Sequence, residues 1–385
     1  MKIGLVIESL DPRRGGAEQW TTQFAAWLVQ AGHEVHVVAG SFSPEIAHLG
    51  IVAHQLPATG SRIEFAQAAE RELDQLRLDV THDMGYGWHC DVFQPHGGSR
   101  AAANEQNLLL APRCLRAVKR QVARCLPRYR EFHRLAMAQY MADDRIFIAL
   151  SKMVARDFER HHGVHREKIR LAYNGVDVER YSPDHQRRYR AVVRDELGVA
   201  DDETLLLIVA HNFRLKGVPT LLASVASLLR AGRPVRLAVV GGKRQPAFAR
   251  LAARLGAAQA TTFVGPVDDA VPYYAAADVY VQPTFYDPCS LVALEALASG
   301  LPVVTSRYNG AGELITPGIE GWIVNDPADA DELTEYLLPL LEPAVRARMA
   351  LAARRLALEH SFDRNCRELL AVYEEVVTRR RRRAA

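Results

Sequence analysis

The sequence predicts an α/β protein made of two doubly wound parallel sheets. Three observations carry this. At 385 residues the chain is too long for one ordinary core. Short apolar runs alternate with stretches of helical apolar spacing in both halves. Glycine-bearing turns follow the leading apolar run of each half, at Gly15-Gly16 and at Gly217.

Taken in order, Lys2–Ile7 is an apolar strand and Asp11–Gly16 (DPRRGG) a turn. Ala17–Ala31 carries Trp20, Phe24, Trp27 and Leu28 at helical spacing. Gly32 stops that helix and Glu34–Val38 is the next strand, which completes a βαβ unit. Shorter strands follow at Asp79–His82 and Asp91–Pro95. The stretch Ala111–Tyr140 is rich in Arg and Lys, and its Pro and Ala content predicts broken helices. Arg145–Leu150 is a strand, and Ser151–His162 a helix capped by Ser151. Tyr173–Pro183 has turn residues without helical period and reads as a connection. In the second half the strands are Leu205–Ala210, Val235–Val240, Thr261–Val264, Val279–Gln282, Val303–Thr305 and Trp322–Val324, with helices such as Val218–Ala231 and Ala247–Leu255 between them. The expected division is residues 1–172, 173–360 and a C-terminal helix with a basic tail over 361–385, the helix packing back on the first domain. A ligand is expected beyond the carboxyl ends of the strands, in the cleft between the domains.

Composition narrows the class. Apolar residues make up 49% and charged residues 24%, as in water-soluble globular proteins. A net charge of +3 implies no general affinity for nucleic acid. The five cysteines have no metal or redox spacing and read as idle thiols of a reducing cytoplasm. Glu8 interrupts the first apolar run too early for a signal peptide, and no run has the ~18 apolar residues of a membrane span. The expected location is the cytoplasm, at the inner face of the plasma membrane.

Several residues have the chemistry of a site. Gly15 and Gly16 allow close backbone approach where a helix start favours an anion, although two glycines in such a turn also serve as a plain turn. Arg214 and Lys216 in HNFRLKG offer a guanidinium fork and an ammonium to a diphosphate; a solvated loop is the other reading. His96 lies in QPHGGS after a strand and is a candidate beside a ligand or a structural histidine. In FYDPCSLVALEALASGLPVV, Asp287 precedes a helix through Leu291–Ala298 that Ser290 caps. The amides of Cys289, Ser290, Leu291 and Val292 face an anion, and Glu295 lies about one and a half turns further in. Two carboxylates at that spacing suit different parts of one elongated ligand such as a sugar nucleotide.

The set of motifs resembles family 4 of the retaining glycosyltransferases, which have the GT-B fold. The family has Glu, seven residues and Glu where this chain has Asp287 and Glu295. Gly15-Gly16-Ala17-Glu18, Tyr173–Asp177 (YNGVD), Arg214–Gly217 (RLKG), Gly300–Val303 (GLPV), Asn309–Leu314 (NGAGEL) and Glu320–Val324 (EGWIV) also match it. The resemblance spans nearly the whole chain in order, and is strongest toward glucosyltransferases of the lipopolysaccharide core.

It implies transfer of a hexose, glucose above all, from a UDP-sugar to a lipid-linked or lipopolysaccharide-core saccharide, with retention and with no cofactor or metal. No Asp-x-Asp triplet of the metal-binding kind is read in the chain. Glu295 then binds ribose hydroxyls and Asp287 sugar hydroxyls. Arg214 and Lys216 neutralise the departing diphosphate with help from the Gly16 backbone, and His96 lies near the sugar. A GT-B sugar-nucleotide 2-epimerase and a degenerate, non-catalytic scaffold are the alternatives; Asp in place of Glu favours the scaffold.

Arg113–Arg134 carries eight basic residues against one acid, Glu131, and Leu115, Val118, Val122 and Leu126 recur at helical spacing. This suits a helix lying on an anionic membrane surface, or equally one covering its own domain. The tail Arg379–Arg383 adds basic charge.

Overall fold

A computed structural model describes residues 1–111, 113–141, 144–243 and 245–384. The chain forms two compact units, Met1–Tyr173 with Asn365–Ala385, and Asn174–Arg364.

The first unit is a seven-stranded parallel sheet in the order β3-β2-β1-β4-β5-β6-β7. Its strands are β1 (Lys2–Leu10), β2 (Glu34–Phe42), β3 (Val52–Gln55), β4 (Val80–Asp83), β5 (Val92–Phe93), β6 (Ile146–Ala149) and β7 (Ile169–Leu171). Its helices are α1 (Gly16–Gln30), α2 (Arg62–Gln75), α3 (Arg100–Leu109), α4 (Arg113–Cys125), α5 (Pro127–Tyr140) and α6 (Lys152–His162). Trp20, Phe24 and Leu28 are the buried stripe of α1, because residues three and four apart share one helix face. Ser151 caps α6 as its sequence indicates, its Oγ accepting from Val154 N at 3.2 Å, and Gly163 ends it in the left-handed region. The basic stretch is two helices broken before Pro127, whose ring cannot continue the first. Strands β3 and β7 escaped the sequence reading: at four and three residues they are too short to show a period.

The second unit is a six-stranded parallel sheet in the order β10-β9-β8-β11-β12-β13. It comprises α7 (Gln186–Glu196), β8 (Thr204–Val209), α8 (Val218–Arg230), β9 (Val235–Val240), α9 (Pro246–Leu255), β10 (Thr261–Gly265), α10 (Val271–Ala276), β11 (Val279–Gln282), α11 (Leu291–Ala298), β12 (Val303–Ser306), β13 (Gly321–Val324), α12 (Ala330–Leu337) and α13 (Pro343–Glu359). Leu206, Ile208, Leu221, Val225, Val239 and Val281 are fully buried in its core. The last helix, α14 (Phe362–Ala384), belongs almost wholly to the first unit. There Asn365 accepts from the Trp20 indole at 3.2 Å and Glu375 receives both arms of Arg170, at 2.7 and 3.1 Å.

One Asp-x-Asp triplet does occur, at Asp329-Ala330-Asp331. It is a helix cap: Asp329 Oδ1 accepts from the amides of Asp331 and Glu332 at the start of α12, each at 2.9 Å.

Candidate active site

In the second unit the recognised segments meet at the carboxyl ends of the strands. Residues 211–217 follow β8, and Gly217 turns them into α8 with φ +80°. A Cβ on Gly217 would sit 2.1 Å from Pro283 O, so only glycine lets this turn lie against the loop after β11. The two loops are then tied together: Phe285 N donates to Leu215 O at 2.8 Å, and Thr284 Oγ1 to the same oxygen at 3.2 Å. That tie brings the Lys216 ammonium into an ion pair with Asp287, both side chains being largely buried. Arg214, two residues earlier, is exposed.

Asp287 is held from its other side by the NGAGEL segment. Its amide donates to Tyr308 O at 2.9 Å and its carbonyl accepts from Gly310 N at 2.8 Å. Asn309 is the central brace. Its Oδ1 accepts from Ser290 N (3.2 Å) and Ala311 N (3.1 Å), and its Nδ2 donates to Thr305 Oγ1 (2.9 Å) and Gln282 Oε1 (3.3 Å). Asn174, from YNGVD, donates to Cys289 O at 2.7 Å. The segments share a neighbourhood because backbone groups in a buried loop need partners, and these amide side chains supply them.

Two sequence expectations change here. Ser290 stands at the N-cap position of α11, but its hydroxyl does not cap the helix; it donates to Gln282 Oε1 at 2.9 Å. The Ser290 amide is engaged by Asn309 and does not face an anion. The amides of Leu291 and Val292 remain those of the first turn of α11.

Glu295 lies on α11 and is 9% exposed. The buried Tyr274 hydroxyl donates to its Oε2 at 2.9 Å, and Tyr181 also hydrogen-bonds it. Burial raises the Glu295 carboxyl above the usual range, while the two tyrosines and Arg180 act against that. Neither tyrosine carried a sequence signal, since each lies outside the motifs. Asn174 and Asn309 were legible as motif members but not in their bracing role.

In the first unit, Gly15 and Gly16 open α1. Gly15 is extended, and the Glu18 carboxylate lies 2.9 Å from where a Cβ on Gly15 would be, so an acid stands beside this helix start. His96 follows β5, half-buried, its ring 4.7 Å from that of Trp20. Its Nε2 is buried without a partner, and burial pulls the imidazole down to about 3, which keeps it neutral near neutrality. Below it His82 Nδ1 meets the Tyr373 hydroxyl at 2.5 Å. Asp83 receives three amides, from Gly85, Tyr86 and Gly87, at 2.7, 2.7 and 2.6 Å.

The model of the group 1 glycosyl transferases matches residues 203–343, and that of glycosyltransferase family 4 matches residues 14–180. The chain belongs to the family 4, group 1 glycosyltransferases. Curated relatives of this family 4 chain include the D-inositol 3-phosphate glycosyltransferase of Nocardiopsis dassonvillei, 32% identical over 60% of this chain and 55% of the relative. An uncharacterized glycosyltransferase of Methanocaldococcus jannaschii is 26% identical over 97% of this chain and 98% of the relative. The matches to the first three inositol-phosphate relatives span between half and two thirds of their lengths. Among solved structures, WaaG, a glycosyltransferase involved in lipopolysaccharide biosynthesis, superposes with a TM-score of 0.81 at 22% identity, covering 96% of this chain and 99% of that one. Anabaena Alr3699/HepE, solved with UDP-glucose, gives 0.73 at 18% identity, covering 97% and 100%. The family 4 chain therefore has the GT-B fold, with its two parallel α/β sheets.

Proposed function

We propose that the protein transfers a hexose, with retention, from a UDP-sugar to a saccharide acceptor that is lipid-linked or part of a lipopolysaccharide core. The observation that carries this is the braced Lys216–Asp287 pair at the strand ends of the second unit, with buried Glu295 eight residues beyond Asp287. The carboxylate holds the ammonium in place at the strand ends, and a diphosphate offers the ammonium charged acceptors that take over from the carboxylate. As the bond to the sugar breaks, charge grows on the leaving phosphate, and Lys216 with Arg214 meets it without a metal. Asp287, released from Lys216, accepts from sugar hydroxyls, and Glu295 from ribose hydroxyls through the lone pairs its tyrosines leave open. The leaving phosphate oxygen takes the acceptor's proton, so no protein base is required. The HepE complexes with UDP and UDP-glucose support the donor, and the WaaG likeness supports the acceptor class.

The test is transfer from labelled UDP-glucose to lipopolysaccharide core acceptors, with donor alone as a control. Asp287→Ala is expected to bind UDP as the wild type does and to transfer nothing. Wild-type rates in that variant overturn the assignment, and conversion of the donor without acceptor supports an epimerase.

A membrane surface is the proposed place of work. On α4 and just after it the apolar stripe is bare: Leu115, Val118 and Val122 of the helix and Leu126 beyond it are between 41% and 59% exposed. The side chains of Arg113, Lys119, Arg120, Arg124 and Arg128, which supply much of the expected basic charge, lie outside the described residues. No helix among the described residues is long and apolar enough to cross a membrane. An apolar stripe on an arginine-rich helix fits the interface of an anionic bilayer. Sedimentation with anionic vesicles should lose most bound protein in Val118→Asp/Val122→Asp; unchanged sedimentation excludes this helix.

A further inference from the structure

Two arginines of the first unit have no part in the donor site. Arg62 opens α2 and Arg100 opens α3, helices that follow the carboxyl ends of β3 and β5. Ser61 and Ser99 cap these helices, their Oγ atoms accepting from Glu64 N at 3.1 Å and Ala102 N at 3.3 Å. The two guanidiniums pack on one ring, Phe132 of α5, at 5.1 Å for Arg62 and 4.4 Å for Arg100. Neither forms an ion pair or donates a hydrogen bond to a described residue, and Arg62 Nη1 is buried with no partner. Glu131 is beside them, but it accepts from the Arg62 backbone amide at 2.7 Å.

This arrangement is unfavourable in an empty protein. Two like charges are brought together and partly dried, and burial followed by the Arg62 charge lowers the Arg100 guanidinium. A buried N–H without an acceptor adds its own penalty. Phe132 offsets some of this through its ring face. What the pair lacks is an anion with several acceptor oxygens, and a planar guanidinium matches phosphate in two-point fashion. The starts of α2 and α3 add positive partial charge on the same side. Glu8, half-buried in β1, acts on Arg100 only through space.

We propose that Arg62 and Arg100 form an anion fork that selects an acceptor bearing a phosphate monoester on its sugar. The word acceptor rests on the transfer reading above; the anion site itself does not. A phosphate on a soluble sugar and one in a lipid headgroup share this chemistry, so both are probed. Binding of glucose 6-phosphate and of glucose to the full chain is measured by calorimetry, for wild type, Arg62→Gln and Arg100→Gln, with UDP titrated in parallel. The phosphorylated sugar is expected to bind at least about tenfold more tightly than glucose. Each variant should lose that preference while keeping wild-type UDP affinity and a melting temperature no lower than that of the wild type. Equal affinity for the two sugars in wild type overturns the proposal, as does an undiminished preference in both variants. In the second arm, phosphatidic acid vesicles, whose headgroup is a phosphate monoester, replace the sugar. Vesicle binding that disappears in the variants, with no preference among the sugars, assigns the pair to a headgroup and overturns the acceptor role. Lost UDP binding with the phosphate preference intact counts against the donor reading alone.

Discussion

The strand ends of the two units are built in opposite ways. In the second unit the charged groups are paired and braced: Lys216 with Asp287, Glu295 with Tyr274, and Asn309 bonded on both ends of its amide. In the first unit some polar groups near the strand ends are left open: Arg62 Nη1 and His96 Nε2 are buried without partners, and Arg62 and Arg100 share a ring in place of a carboxylate. On the proposed reading, a site that holds one fixed ligand, the nucleotide, is organised in advance by its own residues, and a site that awaits an acceptor's own charges is completed only by the acceptor. The difference accords with the denser motifs of the second unit.

The largest expected effect attacks the bracing. Gly217→Ala forces a Cβ to within 2.1 Å of Pro283 O at a φ of +80°, so the two loops must separate. A loss of about 3–5 kcal/mol is expected in urea unfolding, as for other steric or strained sites, together with loss of UDP binding. A change below about 1 kcal/mol would show that the loops are not locked together.

Next comes the pairing of Glu295. Glu295→Gln should weaken UDP binding by about 1.5–3 kcal/mol, as a charged acceptor is lost. Calorimetry with UDP against uracil locates the loss: it should appear only where ribose is present.

The open side is examined through pH. Burial holds His82 and His96 each at about 3, so both stay neutral when folded and take up protons when unfolded. Such groups support the fold above the unfolded value near 6.5, and that support is lost as pH falls toward 3. Asp83 works the other way. Burial raises it to about 6 despite its three amides, so its share of stability falls as pH rises from 3.8 to 6. Two histidines outweigh one aspartate, and acid should destabilise this unit. His82→Asn removes one of the protons taken up on unfolding, so the slope between pH 6 and 4 should flatten by about 1.4 kcal/mol per pH unit. Identical slopes for the two proteins would contradict a buried neutral His82.

The smallest effect separates orientation from packing. Tyr274→Phe keeps the buried ring and removes one donor from Glu295. We expect about 1 kcal/mol less stability. UDP binding should also fade at higher pH than in wild type under acid titration, because Glu295 loses a bond that favours its ionised form. An unshifted pH profile would make the tyrosine a packing residue only.

The sequence by itself determined the alternation of strands and helices, because apolar period is set by local geometry and survives without neighbours. It also determined which segments form the second-unit site, since RLKG, the 287–295 stretch and NGAGEL each carry a fixed order of residue types. It marked Asp287, Glu295 and Lys216 individually. Only the tertiary structure decided their partners. Asp287 pairs with Lys216 because Gly217 admits a backbone approach from a loop 66 residues away in the chain, at Pro283. Glu295 meets Tyr274, 21 residues earlier, on a different helix. The engagement of the Ser290 amide by Asn309, and the meeting of Arg62 and Arg100 on Phe132, were invisible for the same reason. A contact between residues far apart in sequence leaves no local period, and a single polar residue looks the same whether it ends braced, buried or bare.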